Sequence, residues 1–434
     1  MVKTIIQRLR DEYEIIGYPR LVRLNPNVPW KTRGNGALSL RVGKKGDTAK
    51  QKIGEINGAE VRSSASFTQE LDENQRSDIF QTTREILEQQ ARVEDENTNP
   101  GLVIMTTPPA RTIYENAVTR IVILDEILGT LQHHHAWFEG YKNKRGLIGA
   151  TAAIAWTPMD RTFEVIAYRQ KENWGTKRNV DPTSVKTMDE QTPSTFDNYD
   201  HRNNHNRITP NSPCPILFGI RGDNTQDLII ATTMIQSEPV DSWLVFESNQ
   251  GTDDHLRPSP VSRVQPYASV IIEGKVADNP TTIQGGHVLF TLNDGTGTIP
   301  CAAYEPTKEF RRIIRGLYTG DLIEVYGGVR EQPLTVNLEK INIKHLTNIL
   351  VKTENPVCPL CGKHMNSKGT GQGYKCMTCK TTSNQPLVKP LPRSLTPGFY
   401  EVPVCARRHL SKPLKRMLVS QKTAMTTGTA GTPR

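Results

Sequence analysis

Four cysteines in two Cys-x-x-Cys pairs are the residues whose spacing points most directly to chemistry. Cys358 and Cys361 form the first pair, Cys376 and Cys379 form the second, and fourteen residues separate the pairs. Each pair can present two thiolates from one tight turn, and zinc takes four such ligands in a tetrahedron. Because four sulfur ligands leave no open position, the spacing predicts a structural zinc site. A disulfide-linked loop or a redox Cys-x-x-Cys is the alternative.

The region around these cysteines carries the chain's excess of positive charge. Residues 344–434 contain fifteen lysines and arginines against two acids, a balance of +13, whereas the whole chain of 434 residues has a net charge of +9. A concentrated positive region beside a zinc ribbon predicts contact with a polyanion, in the first place a nucleic acid. A solvated basic tail without a partner is the alternative. The candidate contacts are Lys375, Arg407, Arg408, His409 and Lys412.

A loop near the N-terminus combines cations, an aromatic residue and glycines. Residues 25–36, with the sequence NPNVPWKTRGNG, place Lys31 and Arg33 next to Trp30, where glycines let the backbone approach a ligand closely. This pattern predicts a grip for a phosphate or a nucleotide, and an ordinary basic turn is the alternative. The candidate residues for nucleotide binding in and before the loop are Arg20, Arg23, Asn25, Lys31, Arg33, Gly34, Asn35 and Gly36.

The elements that must position these residues follow from length and periodicity. A chain of 434 residues is long enough for two to four domains, and its first half alternates helical and strand patterns. The patterns predict helices over 3–13 and 70–99, a further helix through Ile113, Ala117, Ile121, Leu124 and Leu128, and strands over 20–24, 37–42, 101–105, 162–169 and 214–222. The polar stretch 249–256, NQGTDDHL, fits either a binding loop or a network of turns.

Residues 264–346 change character to short strands separated by Gly, Asn-Asp and Pro signals. Five such strands, with a helix over 307–317 between the third and the fourth, predict an OB-fold, a small barrel whose open face often binds single-stranded nucleic acid. A β-sandwich is the alternative. The chain has no run of eighteen apolar residues, and its remaining cysteines are scattered, so we expect a cytoplasmic protein with reduced thiols.

Taken together, several motifs resemble one family across nearly the whole chain. The motifs are GYPRLVRLNPNVPWKTRGNGA (17–37), TFEVIAYR (162–169), TFDNYD (195–200), SPCPILFGIRG (212–222), NQGTDDHL, the OB-fold, the zinc ribbon and GFYEVPVCARRHLSKPL (398–414). In this order they are similar to the archaeal tRNA(Ile) 2-agmatinylcytidine synthetases. Any one of the motifs alone would be weak, whereas the combination is specific.

The resemblance implies an ATP-dependent ligase with agmatine as its second substrate. Its target is the wobble cytidine of the isoleucine tRNA whose anticodon is CAU. The 2-oxo group of the base is phosphorylated and then displaced by the amine of agmatine, which gives agmatidine, so that the tRNA decodes AUA. The implied cofactors are ATP, Mg²⁺ and structural Zn²⁺, and nothing in the sequence indicates a membrane or an obligate protein partner.

The family's chemistry also assigns roles to residues. Lys31, Arg33 and Asn35 are expected to neutralise the charge that spreads during phosphoryl transfer. Agmatine carries an amine at one end and a planar guanidinium at the other, so carboxylates and aromatic faces are its expected partners. On this chemistry the candidate agmatine residues are Trp174, Phe196, Asp197 and Asp200.

The expected fold class is a multidomain α/β (α+β) protein with a ferredoxin-like domain, an OB-fold β-barrel and a C-terminal zinc ribbon. The expected domains are a kinase-like ATP domain (1–132), a ferredoxin-like agmatine domain (133–262), the OB-fold (263–347), the ribbon with its basic module (348–421) and a disordered tail (422–434). The competing interpretation is a non-catalytic protein that binds tRNA or a single strand through the OB-fold and the ribbon.

The sequence departs from the family pattern at its start. Relatives open with a short strand bearing Asp-Asp-Thr-Asp-Ser and then Cys-Thr-Thr, which supply metal-binding carboxylates and a threonine that becomes phosphorylated. Here Met1 begins on the helix that follows those residues. We therefore expect the natural start to lie upstream of Met1, because the other motifs are intact. A product that lacks its kinase centre is the alternative.

Overall fold

The computed structural model describes residues 1–30, 35–46, 49–66 and 69–418. Three of the predicted nucleotide-binding residues, Lys31, Arg33 and Gly34, lie outside the described residues, and so does the predicted tail over 422–434. No helix within the described ranges is both long enough and apolar enough to span a membrane.

The front half, residues 1–258, alternates helices and strands. Its helices are α1 (Val2–Leu9), α2 (Glu73–Gln90), α3 (Thr112–Thr119), α4 (Leu124–His133), α5 (Gly146–Ala155), α6 (Pro182–Gln191) and α7 (Thr225–Met234). Its strands are β1 (Tyr13–Arg23), β2 (Gly36–Lys44), β3 (Lys50–Ile56), β4 (Ala59–Ser64), β5 (Gly101–Ile104), β6 (Trp137–Gly140), β7 (Thr162–Arg169), β8 (Tyr199–Asp200), β9 (His205–Asn206), β10 (Ile216–Gly222), β11 (Val240–Ser248) and β12 (Arg257–Pro258).

One seven-stranded sheet unites the front half in the order β10-β7-β11-β3-β4-β1-β2. Strand β11 also pairs in parallel with β1, where Arg20 lies opposite Glu247. The sheet thus takes β1–β4 from the predicted ATP domain and β7, β10 and β11 from the predicted agmatine domain. A site beside the paired strands β1 and β11 is consequently built from residues of both predicted domains.

Two sequence expectations for the front half need correction. The predicted helix through Ile113 and Leu128 is two helices, α3 and α4, because the β-branched run Ile121–Ile123 favours extended backbone and separates them. The predicted first helix ends at Leu9 rather than at Tyr13, since Tyr13 already begins β1. The hairpin of β3 and β4 has no counterpart among the predicted elements, because its lysine- and glutamate-rich strands show little apolar alternation.

The predicted OB-fold is confirmed. Its strands are β13 (Ser269–Val276), β14 (Thr281–Thr282), β15 (Val288–Asn293), β16 (Thr298–Ala303), β17 (Leu322–Arg330) and β18 (Thr335–His345). The path β13-β17-β18-β16-β15 closes on itself through pairing of β15 with β13, around an aliphatic core. Helix α8 (Phe310–Arg315) lies between β16 and β17 and is shorter than the predicted 307–317, because residues 305–307 form a separate 3-10 turn.

The ribbon is a small β module that leaves the barrel and returns to it. It contains β19 (Leu350–Glu354), β20 (Asn366–Ser367), β21 (Tyr374–Lys375), β22 (Thr382–Ser383) and β23 (Leu387–Pro390). The chain then forms β24 (Gly398–Glu401), which adds to the barrel beside β18, with Tyr400 opposite Ile341. Residues 402–418, which we call the return segment, pass from there onto the front half.

Candidate functional site

A cavity of about 1410 Å³ opens on the face of the front sheet. Strands β1, β2, β7, β10 and β11 contribute to its wall, together with α1, the end of α2, the loop after β9 and the return segment. We call this cavity the cleft. The charged and aromatic residues that line it include Arg23, Glu164, Tyr168, Trp174, Arg207, Arg221 and His409.

One wall of the cleft is strongly cationic. It carries the guanidinium groups of Arg23, Arg207 and Arg221 together with the imidazole of His409. Burial lowers the pKa of Arg23, Glu164 opposes the shift and Arg221 adds to it. The resulting pKa is about 10, so the guanidinium stays charged at neutral pH. A concave wall with this many cations attracts anionic ligands and excludes free cations.

Glu164 is the carboxylate that faces this wall. It lies directly across from Arg221 in the antiparallel pair of β7 and β10, and its Oε1 lies 3.5 Å from Arg221 Nε. Gln250 donates from Nε2 to the other oxygen, Oε2, at 2.6 Å. A Cβ on Gly219 would lie 2.7 Å from Glu164 Oε1, so glycine at that position leaves room for the carboxylate. Sequence analysis missed Glu164, although a lone acid in the apolar strand TFEVIAYR was the available signal.

His409 reaches the cleft from the far end of the chain. The backbone of the return segment is fixed to the loop 249–254: Gly251 N donates to His409 O at 2.7 Å, and Asp253 N donates to Leu410 O at 2.8 Å. The imidazole then meets Arg221, whose Nη2 lies 3.2 Å from His409 Nδ1. Its ring is open to solvent inside the cleft, although protein surrounds it on most sides.

The electrostatic surroundings of His409 favour the neutral imidazole. The charge of Arg23 is the largest cause, followed by burial and by the charges of Arg221 and Arg207, and together they hold the pKa of His409 well below its usual value. An uncharged ring still donates one N–H, so His409 can bind an anion without adding to the repulsion among the arginines.

The polar loop 249–256 is a positioning loop. Asn249 Oδ1 accepts from Arg23 N at 2.7 Å and Asn249 Nδ2 donates to Arg23 O at 2.9 Å, which fixes the backbone of Arg23 at the end of β1. Gln250 holds Glu164, and the two backbone amides described above hold the return segment. Of the two sequence interpretations, the network of turns is the one observed, and this network supports the cleft.

A second, smaller cavity of about 260 Å³ adjoins the first. Its wall contains Pro26 and Asn35 from the two ends of the predicted nucleotide loop, and Arg408 and Leu410 from the return segment. Arg23 and His409 line both cavities and therefore stand between them.

The other predicted nucleotide-binding residues take different positions. Gly36 lines the cleft, and Asn35 donates from Nδ2 to Asn25 O at 2.8 Å, which closes the base of the loop. Asn25 is buried and donates to Tyr267 O of the OB-fold at 3.0 Å. Arg20 pairs with Glu247 at 3.0 Å and donates to Trp156 O. These contacts give Asn25 and Arg20 partners within the protein, and their assignment to the nucleotide stays a prediction.

The four predicted agmatine residues are not brought together. Trp174 lies on the wall of the cleft with its ring half exposed. Phe196 is buried under the Arg416 guanidinium, and Asp197 pairs with Arg407. Burial opposes the charged form of Asp200, but the N–H groups of Cys405 and Asn203 lower its pKa and occupy its oxygens. Trp174 alone of the four lines the cleft, because the other three are committed to the return segment or to local turns.

The residues predicted to contact nucleic acid also take different positions, since some have partners within the protein and one is exposed. The side chain of Arg407 is enclosed between Asp197 and Glu401, and its Nη2 lies 2.6 Å from Glu401 Oε1. Arg408 pairs with Asn27 and Glu339, and Lys412 pairs with Asp160 at 2.9 Å. All three cations have partners within the protein, and His409 lies in the cleft, so their contact with RNA stays a prediction. Lys375 is exposed on the ribbon.

The four ribbon cysteines form a site suited to zinc. Their sulfur atoms lie within 4.8 Å of one another, and Cys361 Sγ lies 3.5 Å from Cys376 Sγ, far longer than a disulfide bond. Four zinc-bound thiolates at about 2.3 Å from the metal need sulfur separations of this size. Backbone N–H groups support the knuckle, as in the contact of Cys379 N with Cys376 Sγ at 3.4 Å.

The barrel, the ribbon and the charged cleft define a multidomain nucleic-acid-binding protein that also carries a reaction site. Family models match in chain order: the TiaS TCKD domain at 1–143, the TiaS FLD domain at 144–255, the OB-fold nucleic acid binding domain at 270–344 and the TiaS C-terminal zinc ribbon domain at 355–395. The chain belongs to the TiaS family.

Curated relatives and solved structures agree with this family. The isoleucine-tRNA 2-agmatinylcytidine synthetase TiaS of Archaeoglobus fulgidus is 41% identical over 94% of this chain and 91% of the relative. That of Methanocaldococcus jannaschii is 41% identical over 95% of this chain and 93% of the relative. The crystal structure of TiaS with its isoleucine tRNA and ATP is similar with a TM-score of 0.82, 38% identity and coverage of 96% and 93% of the two chains. The crystal structure of TiaS with the same tRNA, AMPCPP and agmatine is similar with a TM-score of 0.80 and 37% identity. That match covers 96% of this chain and 92% of the other chain.

We predict that zinc content depends on the ribbon cysteines alone. The purified chain should contain about one zinc ion, and Cys376→Ser should remove most of it because a tetrahedral site loses one of its four ligands. Cys214→Ser, a cysteine of the front half, serves as the control and should retain the metal. Metal analysis by mass spectrometry measures both, and full zinc in the Cys376 variant would contradict the site.

We also predict that Arg407 stabilises the fold. Arg407→Gln removes the cation that Asp197 and Glu401 share, and stranding two largely buried carboxylates should lower the free energy of unfolding by about 3 kcal/mol. Urea unfolding followed by tryptophan fluorescence measures this change. Lys375→Gln, an exposed cation, should change stability by less than about 0.5 kcal/mol. Equal stability of the two variants would mean that Arg407 has no structural role.

Proposed function

We propose that this chain ligates agmatine to C2 of the wobble cytidine of the isoleucine tRNA with the CAU anticodon, at the expense of ATP. The observation that carries the proposal is the cleft, in which a cationic wall faces the carboxylate of Glu164 beside a nucleic-acid-binding barrel. Membership of the TiaS family supports the same reaction, because its curated members are named for it.

The chemistry explains why the cleft needs both signs of charge. The C2 oxygen of cytidine is a poor leaving group, so it must first accept a phosphoryl group. The amine of agmatine then forms a C–N bond at C2, while the C–O bond breaks and phosphate departs with the bonding electrons. The phosphate steps need cations, whereas a diamine-like substrate needs a carboxylate.

ATP supplies the phosphoryl group, and we place its phosphates toward the predicted loop 25–36. The smaller cavity supports this placement because the two ends of that loop and Arg23 line it. Lys31, Arg33 and Gly34 remain proposed contacts, and Mg²⁺ is proposed to accompany the nucleotide, since phosphoryl transfer generally uses it to neutralise phosphate charge.

Agmatine is assigned to the cleft, with Glu164 in place of the carboxylates expected from sequence. Glu164 faces the cavity, whereas Asp197 and Asp200 have partners elsewhere. Trp174 keeps its expected role, because its half-exposed ring offers a face on which a guanidinium can stack. The cationic wall would repel either charged end of agmatine, so the substrate should run from Glu164 toward Trp174.

The tRNA is assigned to the barrel and the ribbon. The ribbon exposes Lys363, Lys368, Lys375 and Lys380 around its cysteine cluster, and exposed cations of this kind track a phosphate backbone. The wobble base lies in a single-stranded loop, so it can be splayed out of the anticodon and into a cleft. Since tRNA decoding takes place in the cytoplasm, we also infer a cytoplasmic location.

Transfer of labelled agmatine to a transcript of the CAU-anticodon isoleucine tRNA tests the function. The measurement uses this chain and the same chain extended upstream in frame, with and without ATP. ATP-dependent incorporation that is lost when the wobble cytidine is replaced is the expected result. Tight tRNA binding by both forms without any incorporation would favour the alternative, a non-catalytic binding protein.

We predict that Glu164→Gln weakens agmatine binding roughly 10- to 100-fold, because a charge-assisted hydrogen bond is worth about 1.5–3 kcal/mol. Calorimetric titration with agmatine alone measures this and does not depend on catalysis. The matched control is Asp241→Asn, since Asp241 also lines the cleft but pairs with Lys3. Unchanged affinity in the Glu164 variant would remove that carboxylate from the agmatine site.

A further inference from the structure

The wall between the two cavities has a composition that the assignments above leave unexplained. Arg23 and His409 face both cavities, and Arg221 joins them by its contact with His409 Nδ1 at 3.2 Å. The three groups come from three distant stretches, namely β1, β10 and the return segment. The proposed ATP site accounts for Arg23, but it gives no reason for His409 and Arg221 to face the cleft that is assigned to agmatine.

The contact with Arg221 fixes which nitrogen of His409 carries the proton. A guanidinium can only donate, so His409 Nδ1 must accept from Arg221 Nη2, and the neutral ring therefore carries its hydrogen on Nε2. The free nitrogen of the imidazole, Nε2, is therefore a hydrogen-bond donor toward a ligand, and the guanidinium groups are donors as well. A set composed only of donors is complementary to a ligand that only accepts, such as a phosphate.

The charges of the wall favour an anionic ligand. Arg23, Arg207 and Arg221 are cationic, and Glu164 is the carboxylate that lies beside Arg221. An excess of positive charge of this kind suits a phosphate or a phosphate monoester. Agmatine, which is cationic, cannot occupy this wall, so the ligand must be a different participant in the reaction.

We propose that Arg23, Arg221 and His409 form a phosphate subsite at the border of the two cavities, which holds the phosphoryl group while it is attached to the base and receives the phosphate that leaves. The role of the subsite in the reaction rests on the proposed function. Its ability to bind an anion does not depend on that function. In the displacement step the C2–O bond breaks and the phosphate keeps the electron pair. The phosphate takes up the proton that the amine loses and so departs as the hydrogen phosphate dianion, which stays paired with the arginines.

The subsite has a signature that a structural role would not produce. The charged groups that act on His409 are Arg23 on β1, Arg207 after β9 and Arg221 on β10, and Glu164 on β7 lies opposite Arg221. The arginines suppress protonation of the ring, and a bound anion offsets their charge. Anion binding should therefore raise the pKa of His409, so that the ring takes up a proton from solvent. Replacement of His409 should abolish that uptake.

Inorganic phosphate and sulfate are the probes, applied to the full chain without tRNA. Calorimetric titration should show phosphate binding that His409→Asn weakens roughly tenfold, because one donor to a charged ligand is lost. Sulfate does not titrate near neutral pH, so sulfate titrations in two buffers of different ionisation enthalpy measure proton uptake. His345→Asn is the matched control, since His345 is exposed at the end of β18 and lies outside the cleft. It should behave as the unmodified chain does.

The outcomes separate this inference from the proposed function. Phosphate binding that persists in saturating ADP, with proton uptake that requires His409, supports the subsite even if no agmatine is incorporated. Displacement of phosphate by ADP would overturn it, because the wall would then belong to the nucleotide. Equal phosphate affinity in the His409 and His345 variants would also overturn it. Agmatine incorporation in either case would leave the proposed function standing.

Discussion

Ion pairs between the return segment and the acids of the front half are the interaction on which the site depends. Arg407 joins Asp197 and Glu401, Lys412 joins Asp160, and Arg416 reaches Asp160 at 2.8 Å and Asp223 at 2.7 Å. Removing one partner of a buried pair leaves an uncompensated charge, which is costly. The return segment is therefore bound to the rest of the protein, and its position is fixed by the carboxylates that pair with it.

This arrangement links the ribbon to the cleft through the chain itself. The ribbon lies between β18 and β24, and the segment that follows β24 delivers His409 to the front sheet. A buried network reinforces the same joint, where Lys340 of β18 pairs with Asp253 and His255 lies 3.1 Å from Glu339. These contacts hold the barrel against the front sheet. The ribbon with its exposed lysines is connected through β24 to the return segment, which carries His409 of the cationic wall.

The zinc ligands and the barrel could be predicted from sequence because their signals are local. Two Cys-x-x-Cys pairs need only a hairpin between them, and alternating strands with one helix between the third and the fourth describe a closed barrel. The cleft could not be predicted in the same way. Glu164 and Arg221 are opposite one another only through the pairing of β7 with β10, and His409 joins them from almost two hundred residues further on. The local sequence around each of these three residues gives no sign that they lie close together in the folded chain.

The predicted site residues that have partners within the protein share one physical explanation. Sequence reasoning treats a charge as a sign of a ligand, so it assigns Arg407, Arg408 and Lys412 to RNA and Asp197 and Asp200 to agmatine. The structure pairs Arg407 with Asp197 and lets the backbone of Cys405 occupy Asp200. Opposite charges in distant stretches neutralise each other in the folded chain. Composition alone cannot distinguish such pairs from free binding groups.

Amide hydrogen exchange of the loop 249–254 tests most directly whether the return segment is part of the cleft. Gly251 N and Asp253 N donate to His409 O and Leu410 O, so these two amides should exchange slowly in the full chain. They should exchange quickly when the chain is cut before the return segment. Rapid exchange of both amides in the intact protein would contradict the account, because His409 would then not be held beside Arg23 and Arg221.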